Sequence, residues 1–252
     1  MPPRRRARPL RALVVCVLTS VVLVGCASLP ASSPQAAAGT PSPSPTGTTI
    51  EAAAPTALPA QQLDAGTVGT GAPVTVTGTG PAVVDFVRGG DFGVVARVDC
   101  SACSGTFSVR DPDRDGLWGS GEAPLTGSYL VDVRSDDQTE RSLVLDVQGS
   151  WSIELSSWTD LPVVTGAQTG TGATVLRLGD ETGAVLLDFT PTDASDTLVG
   201  RAVPESDLTG TGAAEVLVFG SDDAVQGVSV PVPLPGVVAV STTGTWSLAP
   251  VG

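Results

Sequence analysis

The chain has 252 residues, a formal net charge of −13, 30 glycines, 21 prolines and no histidine. Because histidine is absent, Ser-His-Asp catalysis, Cys-His catalysis and His-ligated zinc are excluded. All 13 basic residues are arginine, so a lysine Schiff base, a lysine general base and P-loop nucleotide binding are excluded as well. Any catalysis would depend on carboxylate, hydroxyl, thiol or backbone groups.

The charge is distributed unevenly along the chain. Five arginines and no acidic residue occur in the first 25 positions, whereas all 26 acidic residues follow them. A strongly acidic body repels polyanions, so we expect no nucleic acid partner. Cations and neutral polymers are better matched to this charge.

The N-terminus has the three parts of an export signal. Residues 1–11 are basic, residues 12–24 are apolar, and the sequence Leu23-Val24-Gly25-Cys26 closes the segment. These last four residues resemble the lipobox of bacterial lipoproteins. The resemblance implies that signal peptidase II removes residues 1–25 and that Cys26 carries a diacylglyceryl group. The protein is then expected to be bound through this lipid to the extracytoplasmic face of the cell membrane.

An uncleaved transmembrane helix is the alternative interpretation of the same segment. Crossing a bilayer takes about 20 apolar residues, and the run from 12 to 24 is shorter. The absence of lysine together with abundant Ala, Gly, Val and Arg resembles the composition of exported actinobacterial proteins. The sequence therefore favours a lipid anchor over a membrane-spanning one.

Residues 26–67 are predicted to be a lipidated, disordered linker. They are rich in Pro, Ser, Thr and Ala and contain few large apolar side chains. Such a composition cannot bury enough apolar surface to fold, and it favours extended polyproline II conformations. The segment is expected to act as a stalk between the membrane and a folded domain.

Beyond residue 68 the pattern indicates an all-β fold. Short runs of Val, Leu, Ile, Thr and Phe alternate with polar residues and are separated by Gly, Asp and Pro, as in Val74-Thr75-Val76-Thr77. No ten-residue stretch has a helical period. The high content of glycine and β-branched residues also disfavours helices.

Four sequence landmarks recur in the same order in the two halves of this region. The matched pairs are Gly69-Thr70-Gly71-Ala72 with Gly170-Thr171-Gly172-Ala173, Ala82-Val83-Val84-Asp85-Phe86 with Val185-Leu186-Leu187-Asp188-Phe189, Leu125-Thr126-Gly127 with Leu208-Thr209-Gly210, and Gly149-Ser150-Trp151 with Gly244-Thr245-Trp246. The collinear order predicts two related modules, at residues 68–156 and 169–252, joined by a short connecting segment.

We expect these modules to be two tandem antiparallel β-sandwiches of the jelly-roll or Ig-like kind. Trp151 and Trp246 are predicted to anchor the two cores. The functional alternative for either ring is stacking against a bound sugar. The Gly-x-Trp ending resembles the last strand of small β-sandwich modules in uncharacterised exported actinobacterial proteins. That resemblance implies a fold but no activity.

One stretch matches every fixed position of a calcium-binding loop. It runs Asp111-Pro112-Asp113-Arg114-Asp115-Gly116-Leu117-Trp118-Gly119-Ser120-Gly121-Glu122 and fits D-x-[DN]-x-[DN]-G-x5-E. Ca²⁺ takes six to eight oxygen ligands, and the resemblance to EF-hand loops implies ligation by Asp111, Asp113, Asp115, Glu122 and the carbonyl of Leu117. The flanking residues look like strands rather than helices, which puts Glu122 in doubt. A merely solvated acidic loop is the alternative.

Two cysteines remain after the signal and the lipidated residue are set aside. Cys100 and Cys103 are predicted to form a structural disulfide at a hairpin turn in an oxidising compartment. A thioredoxin-like redox site is the functional alternative, but it needs a helix after the cysteine and none is expected here. Zinc would need two further ligands.

Paired carboxylates occur at equivalent turns, as Asp136-Asp137 and Asp222-Asp223. A glycosidase uses two acids, but recurrence after the same predicted strand favours turn stabilisation. The sequence therefore predicts a non-catalytic, membrane-anchored surface lipoprotein that binds a ligand or an envelope polymer or protein, with Ca²⁺ as a possible structural ion. A carboxylate-dependent extracellular carbohydrate hydrolase, or an accessory subunit of an envelope complex, is the alternative.

Overall fold

The computed structural model describes residues 61–112, 117–133, 139–208 and 216–251. The predicted signal peptide, Cys26 and most of the predicted stalk lie outside these residues, as do Asp113, Asp115 and the pair Asp136-Asp137. In the described part, no helix is both long and apolar enough to cross a membrane.

The described chain is almost entirely β-structure, as the alternating pattern predicts. The first half contains β1 (Gln61–Val68), β2 (Val74–Thr79), β3 (Ala82–Arg88), β4 (Val94–Arg110), β5 (Leu117–Asp132) and β6 (Glu140–Ser157). A 3₁₀ turn at Trp158–Asp160 precedes the second half. That half contains β7 (Val163–Val164), β8 (Gln168–Thr171), β9 (Thr174–Leu178), β10 (Ala184–Thr190), β11 (Leu198–Pro204), the one-turn helix α1 (Glu205–Leu208), β12 (Leu217–Ser221), β13 (Val225–Val230), β14 (Gly236–Ser241) and β15 (Thr245–Val251).

The stalk ends earlier than its composition suggests. Residues 61–67, predicted as linker, belong to β1, which pairs in parallel with β3 from Gln61 opposite Ala82 to Val68 opposite Arg88. Val68 is fully buried. The linker prediction is therefore wrong for these residues. Their side chains alone form no core, but pairing with β3 satisfies the hydrogen bonds of their backbone.

The second half has the strand order of a jelly roll. Its four-stranded sheet has the order β13-β10-β15-β8, and its five-stranded sheet has the order β12-β11-β14-β9-β7. Successive strands mostly pass from one sheet to the other, which produces the interleaved order of this fold. Of the two sandwich types that the sequence left open, the jelly roll is the one observed here.

The first half repeats this order with longer, bent strands. The first part of β6 pairs with β3 and with the end of β4, whereas its second part pairs with β2 and with the start of β4. Gly105 and Gly149 adopt positive φ values of 71° and 99° near the bends, a conformation that favours glycine. The single strand β6 thus occupies the places that two strands, β14 and β15, occupy in the second half.

The observed strand pairing gives two of the four landmarks a different partner from the one that the sequence match predicts. Gly78 lies opposite Trp151 and Gly170 lies opposite Trp246, so the structural partner of 170–172 is 78–80 rather than 69–71. Likewise, β3 occupies the place of β9, not of β10. Short Gly-Thr-Gly and Asp-Phe sequences recur several times, and only the hydrogen-bonded register separates them.

A single apolar cluster links the two halves. In β11, Leu198 and Ala202 face the core of the second half, whereas Val203 belongs to a larger cluster formed mainly by the first half. Val175, Val237 and Ala239 join the same larger cluster. Strand β14 is almost wholly buried because both of its faces are covered. The proposed separation into modules 68–156 and 169–252 stays a prediction.

The segment expected to connect the modules is also packed. Trp158 is fully buried in the larger cluster, and its ring lies so close to Gly93 that a Cβ there would come within 2.5 Å of it. Ser157 accepts a hydrogen bond from the Thr159 backbone N–H at 3.1 Å and caps the 3₁₀ turn. The start of this segment therefore belongs to the core, whereas most of residues 159–167 are exposed.

Candidate functional site

The structure places the described residues of the calcium-loop pattern along a β-hairpin. Arg110 at the end of β4 pairs with Leu117 at the start of β5, and Asp111 follows immediately. Leu117 is 58% exposed. Asp113 and Asp115 lie outside the described residues.

Glu122 does not lie beside Asp111. It pairs with Thr106, whose hydroxyl lies 3.3 Å from the Glu122 Oε1, and Thr106 is four residues before Arg110. Strands rise about 3.3 Å per residue, so the pairing places Glu122 more than about 13 Å along the hairpin from Asp111. Two ligands of one Ca²⁺ must lie within about 5 Å of each other, given ligand distances of about 2.3–2.6 Å. Glu122 therefore departs from the EF-hand arrangement. In an EF-hand the following helix brings the glutamate back to the metal, whereas here the chain continues as a strand.

The predicted disulfide is present. Cys100 and Cys103 are bonded, with their Cα atoms 5.0 Å apart, in the part of β4 where its register against β6 shifts. Both side chains are buried. No helix follows Cys103, so the arrangement lacks the helix N-terminus that lowers the pKa of a redox-active thiol.

The structure also places the two predicted core tryptophans and one of the two carboxylate pairs. Trp151 and Trp246 are both buried, as predicted for core anchors. Asp222 and Asp223 are exposed in the β12–β13 turn, where the Ser221 hydroxyl accepts from the Asp223 N–H at 3.2 Å. This bond is made by the Ser221 hydroxyl and not by a carboxylate of the pair, so turn stabilisation by Asp222 and Asp223 stays a prediction.

A cleft of about 530 Å³ lies between the two halves. One wall is β5, and the other is formed by β11, β14 and the loop 192–197. Its volume is in the range of small-molecule sites, about 300–1,000 Å³.

The wall formed by β5 contributes an aromatic ring and a buried phenol. Trp118 lines the cleft and is half-buried, whereas Tyr129 is buried behind it. The Tyr129 ring covers Gly119, where a Cβ would come within 2.1 Å of the ring, and lies 5.9 Å from the ring of Phe107. Burial raises the pKa of Tyr129 to about 12, so this phenol stays protonated at neutral pH.

The opposite wall contributes one cation. Arg201 of β11 lines the cleft and donates through Nη2 to the Leu130 carbonyl at 2.8 Å, which ties the two walls together. Burial lowers the pKa of Arg201 below its ordinary value. Ser128 makes a second connection, since its hydroxyl accepts from the Val175 N–H at 2.8 Å.

Asp196 holds the loop 192–197 in place. Its carboxylate is buried and accepts from the Thr192 N–H at 2.9 Å, the Thr242 hydroxyl at 2.9 Å and the Thr243 N–H at 3.0 Å. Burial raises its pKa, but these hydrogen bonds outweigh burial and leave the pKa below 3.8. Asp196 is therefore an ionised structural group that positions the loop.

Asp193 lies at the mouth of the cleft in the same loop. It accepts from the hydroxyl and the N–H of Ser195, at 2.6 and 2.7 Å, and these bonds lower its pKa from 3.8. A glycosidase general acid needs a raised pKa. Neither Asp193 nor Asp196 meets that requirement, because hydrogen bonds favour the ionised form of both.

We expect Asp196→Ala to lower the free energy of unfolding at pH 7 by about 2–3 kcal/mol, because it leaves two N–H groups without their acceptor. The native pKa is depressed, so the stabilising contribution is present above the unfolded pKa of about 3.9 and is lost as pH falls through the native pKa. Denaturant unfolding at pH 7 and pH 3 should show the difference between wild type and variant shrinking at pH 3. An equal difference at both values would contradict this role.

The residues of the cleft were not identified from the sequence, apart from residues 117–122, which were noted only as parts of the calcium pattern. The cleft forms where β5 of the first half meets the loop 192–197 of the second. No local spacing indicates such a meeting of distant strands. The one usable signal would have been a large aromatic residue at the exposed edge of a predicted strand.

No protein-family model matches the chain, and no curated protein sequence matches it. Among solved structures, the CUB1-EGF-CUB2 domains of human MASP-1/3 are similar at 8% identity over 70% of this chain and 99% of that one, with a TM-score of 0.23. The Sulfolobus turreted icosahedral virus is similar at 11% identity over 70% of this chain and 90% of that one, also with a TM-score of 0.23. These likenesses are too distant to bear on function.

Proposed function

We propose that this protein is a non-catalytic binding protein held at the outer face of the cell membrane by a diacylglyceryl group on Cys26. The observation that carries the binding role is the cleft between the two halves, which is formed on paired strands and connected across by Arg201 and Ser128. Binding sites on rigid strands are more precise than sites on loops. The envelope would supply the polymer or protein that this cleft recognises.

Two further features support export and anchoring. The Leu23-Val24-Gly25-Cys26 sequence is similar to a lipobox, and the disulfide between Cys100 and Cys103 is of a kind that persists in oxidising compartments outside the cytoplasm. A lipid with two acyl chains anchors a protein much more durably than a single chain does.

A carbohydrate hydrolase is the second candidate, and the acidic residues of the cleft are the observation in its favour. Glu122, Asp193 and Asp196 all line it. The lowered pKa of Asp193 and Asp196 weighs against a general acid in that pair. We therefore place binding before hydrolysis.

The proposal includes a calcium ion with fewer protein ligands than the sequence pattern implies. The ligands are Asp111, Asp113, Asp115 and the Leu117 carbonyl, and Glu122 is not among them. Ca²⁺ that binds only the folded state raises stability with concentration. We expect the thermal midpoint of wild type to rise on addition of Ca²⁺, that of Glu122→Ala to rise equally, and that of Asp113→Ala/Asp115→Ala to stay constant. An unresponsive wild type would remove calcium from the proposal.

Anchoring is tested with Cys26→Ala in the producing cell. We expect the wild type in the membrane fraction, labelled by a clickable fatty acid, because the thiol of Cys26 is the only attachment point for the lipid. Cys26→Ala should lose the label and leave residues 1–25 attached. Cys16→Ala, within the predicted signal, is the matched control and should behave as wild type. A labelled Cys26→Ala protein would refute this part of the proposal.

A further inference from the structure

The cleft has one accessible aromatic ring. The protein contains four tryptophans, and Trp151, Trp158 and Trp246 are buried with at most 5% of their surface exposed. Trp118 is half-buried and lines the cleft. An aromatic ring presents a negative face that attracts the weakly positive C–H groups of a flat ligand.

Aliphatic side chains extend the apolar part of the cleft. Leu117 and Val199 line it on opposite walls and are 58% and 46% exposed. Leu117 precedes Trp118 at the start of β5, and Val199 lies two residues before Arg201 on β11. A ligand that covers these groups needs apolar surface of its own.

The rest of the lining is rich in hydroxyl groups. The side chains concerned are Thr106, Ser120, Ser195, Thr197 and Thr243. Each hydroxyl both donates and accepts hydrogen bonds. The carboxylates of Glu122 and Asp193 add strong acceptors at the same surface. The matching ligand carries many hydroxyl groups as well as apolar C–H faces.

The charge of the cleft disfavours an anionic ligand. Among the residues that the structure describes, three carboxylates line it and the only cation in the lining is Arg201, which is directed to the Leu130 carbonyl. Burying an anion beside uncompensated carboxylates is unfavourable. A basic peptide would suit the charge, but Asp196 is buried and already saturated with hydrogen bonds, so only Glu122 and Asp193 are left to accept bonds from a ligand.

We propose that the cleft binds a neutral glycan, with a sugar ring stacked on Trp118 and its hydroxyl groups bonded to Glu122, Asp193 and the surrounding hydroxyls. This inference rests on the proposed function and names the ligand class of the same site. Stacking supplies affinity for the C–H face of the ring, and the polar groups select the orientation of the hydroxyls.

The test uses the mature lipidated chain in a non-glycosidic detergent, so that the detergent does not compete. The probes are neutral hexasaccharides of glucose, mannose, arabinose, galactose and N-acetylglucosamine, with hexagalacturonate as the anionic control and hexa-arginine as the basic peptide control. Titration calorimetry measures affinity. Tryptophan fluorescence follows all four tryptophans, and the part of its change on binding that Trp118→Phe loses comes from Trp118. We expect a neutral hexasaccharide to bind and both controls to fail.

Three variants locate the site. Trp118→Ala should weaken binding at least about tenfold, as for a tryptophan at the centre of an interface, and Trp118→Phe should weaken it less. Thr197→Trp fills the cleft from an exposed position and should abolish binding without loss of folding. Val228→Ala, on the four-stranded sheet and outside the lining, is the matched control and should bind as wild type.

The inference is overturned if no neutral hexasaccharide binds, if hexa-arginine binds in place of the sugars, or if the affinity of Trp118→Ala and Thr197→Trp equals that of wild type. Mass spectrometry of the sugars after incubation separates this inference from the proposed function. Intact sugars support both. Shortened sugars would overturn the non-catalytic function while supporting a glycan ligand. Loss of fatty-acid labelling concerns Cys26 alone and leaves the ligand class unaffected.

Discussion

Trp246→Ala is expected to lower the free energy of unfolding by about 3–5 kcal/mol, the usual cost of deleting a buried large aromatic ring. The Trp246 ring lies flat over Gly170, where a Cβ would come within 2.4 Å of it, and its indole N–H donates to the Gly172 carbonyl at 3.0 Å. The deletion therefore removes apolar contacts and a hydrogen bond together.

The first half repeats the same arrangement, which provides an internal comparison. Trp151 covers Gly78 and donates to the Gly80 carbonyl at 2.9 Å. Trp151→Ala should cost a similar free energy, and Gly170→Val should also destabilise because the added side chain displaces the Trp246 ring. Both Trp–Gly pairs lie in the same register of adjacent strands.

Urea unfolding followed by circular dichroism measures this effect without depending on the removed fluorophore. Trp118→Ala is the matched control, because that ring is half exposed and should cost much less. A loss below about 1 kcal/mol for Trp246→Ala would show that the ring contributes little to the core.

Asp132→Ala is expected to destabilise the protein by about 3–5 kcal/mol, the range for breaking a buried ion pair. The Asp132 carboxylate is buried, lies 2.7 Å from Nη1 of Arg88 and 3.6 Å from Nε of Arg141. Only 3% of the Arg88 side chain is exposed. Removing the carboxylate leaves buried positive charge that it had compensated.

Two comparisons make this prediction specific to burial. The pair Arg97–Glu154 is 3.7 Å apart and exposed, so Glu154→Ala should cost less than about 1 kcal/mol. Adding Arg88→Met to Asp132→Ala removes one of the two positive charges that Asp132 contacts and should recover part of the lost stability. Thermal and urea unfolding measure both. Equal losses for Asp132→Ala and Glu154→Ala would contradict the assignment.

The strands were predictable because their signal is local. Alternation in Ala82–Arg88 places every second side chain in the core, and the observed burial follows that period. The Cys100–Cys103 disulfide was predictable for a similar reason, since two cysteines three residues apart at a turn have few other partners.

The strand pairing agrees with the predicted repeat in its last landmark and differs from it in others. Trp151 and Trp246 are unique enough to mark equivalent strands, whereas Gly-Thr-Gly recurs too often to do so. Glu122 shows the same limit, because its spacing from Asp111 suits a calcium loop while its strand pairing with Thr106 carries it away. A motif fixes residue types and spacing but not the backbone on which they lie.

The sequence by itself determined the all-β class, the disulfide and the two tryptophans at the cores, because each depends on composition, local period or short spacing. The anchor at Cys26 stays a prediction. Only the tertiary structure decided the jelly-roll order, the inclusion of β1, the core shared by the halves and the cleft. These arise from pairings between residues far apart in the chain. Val175 and Val203 complete a core that the first half begins, and Trp118 faces a loop that Asp196 holds in place.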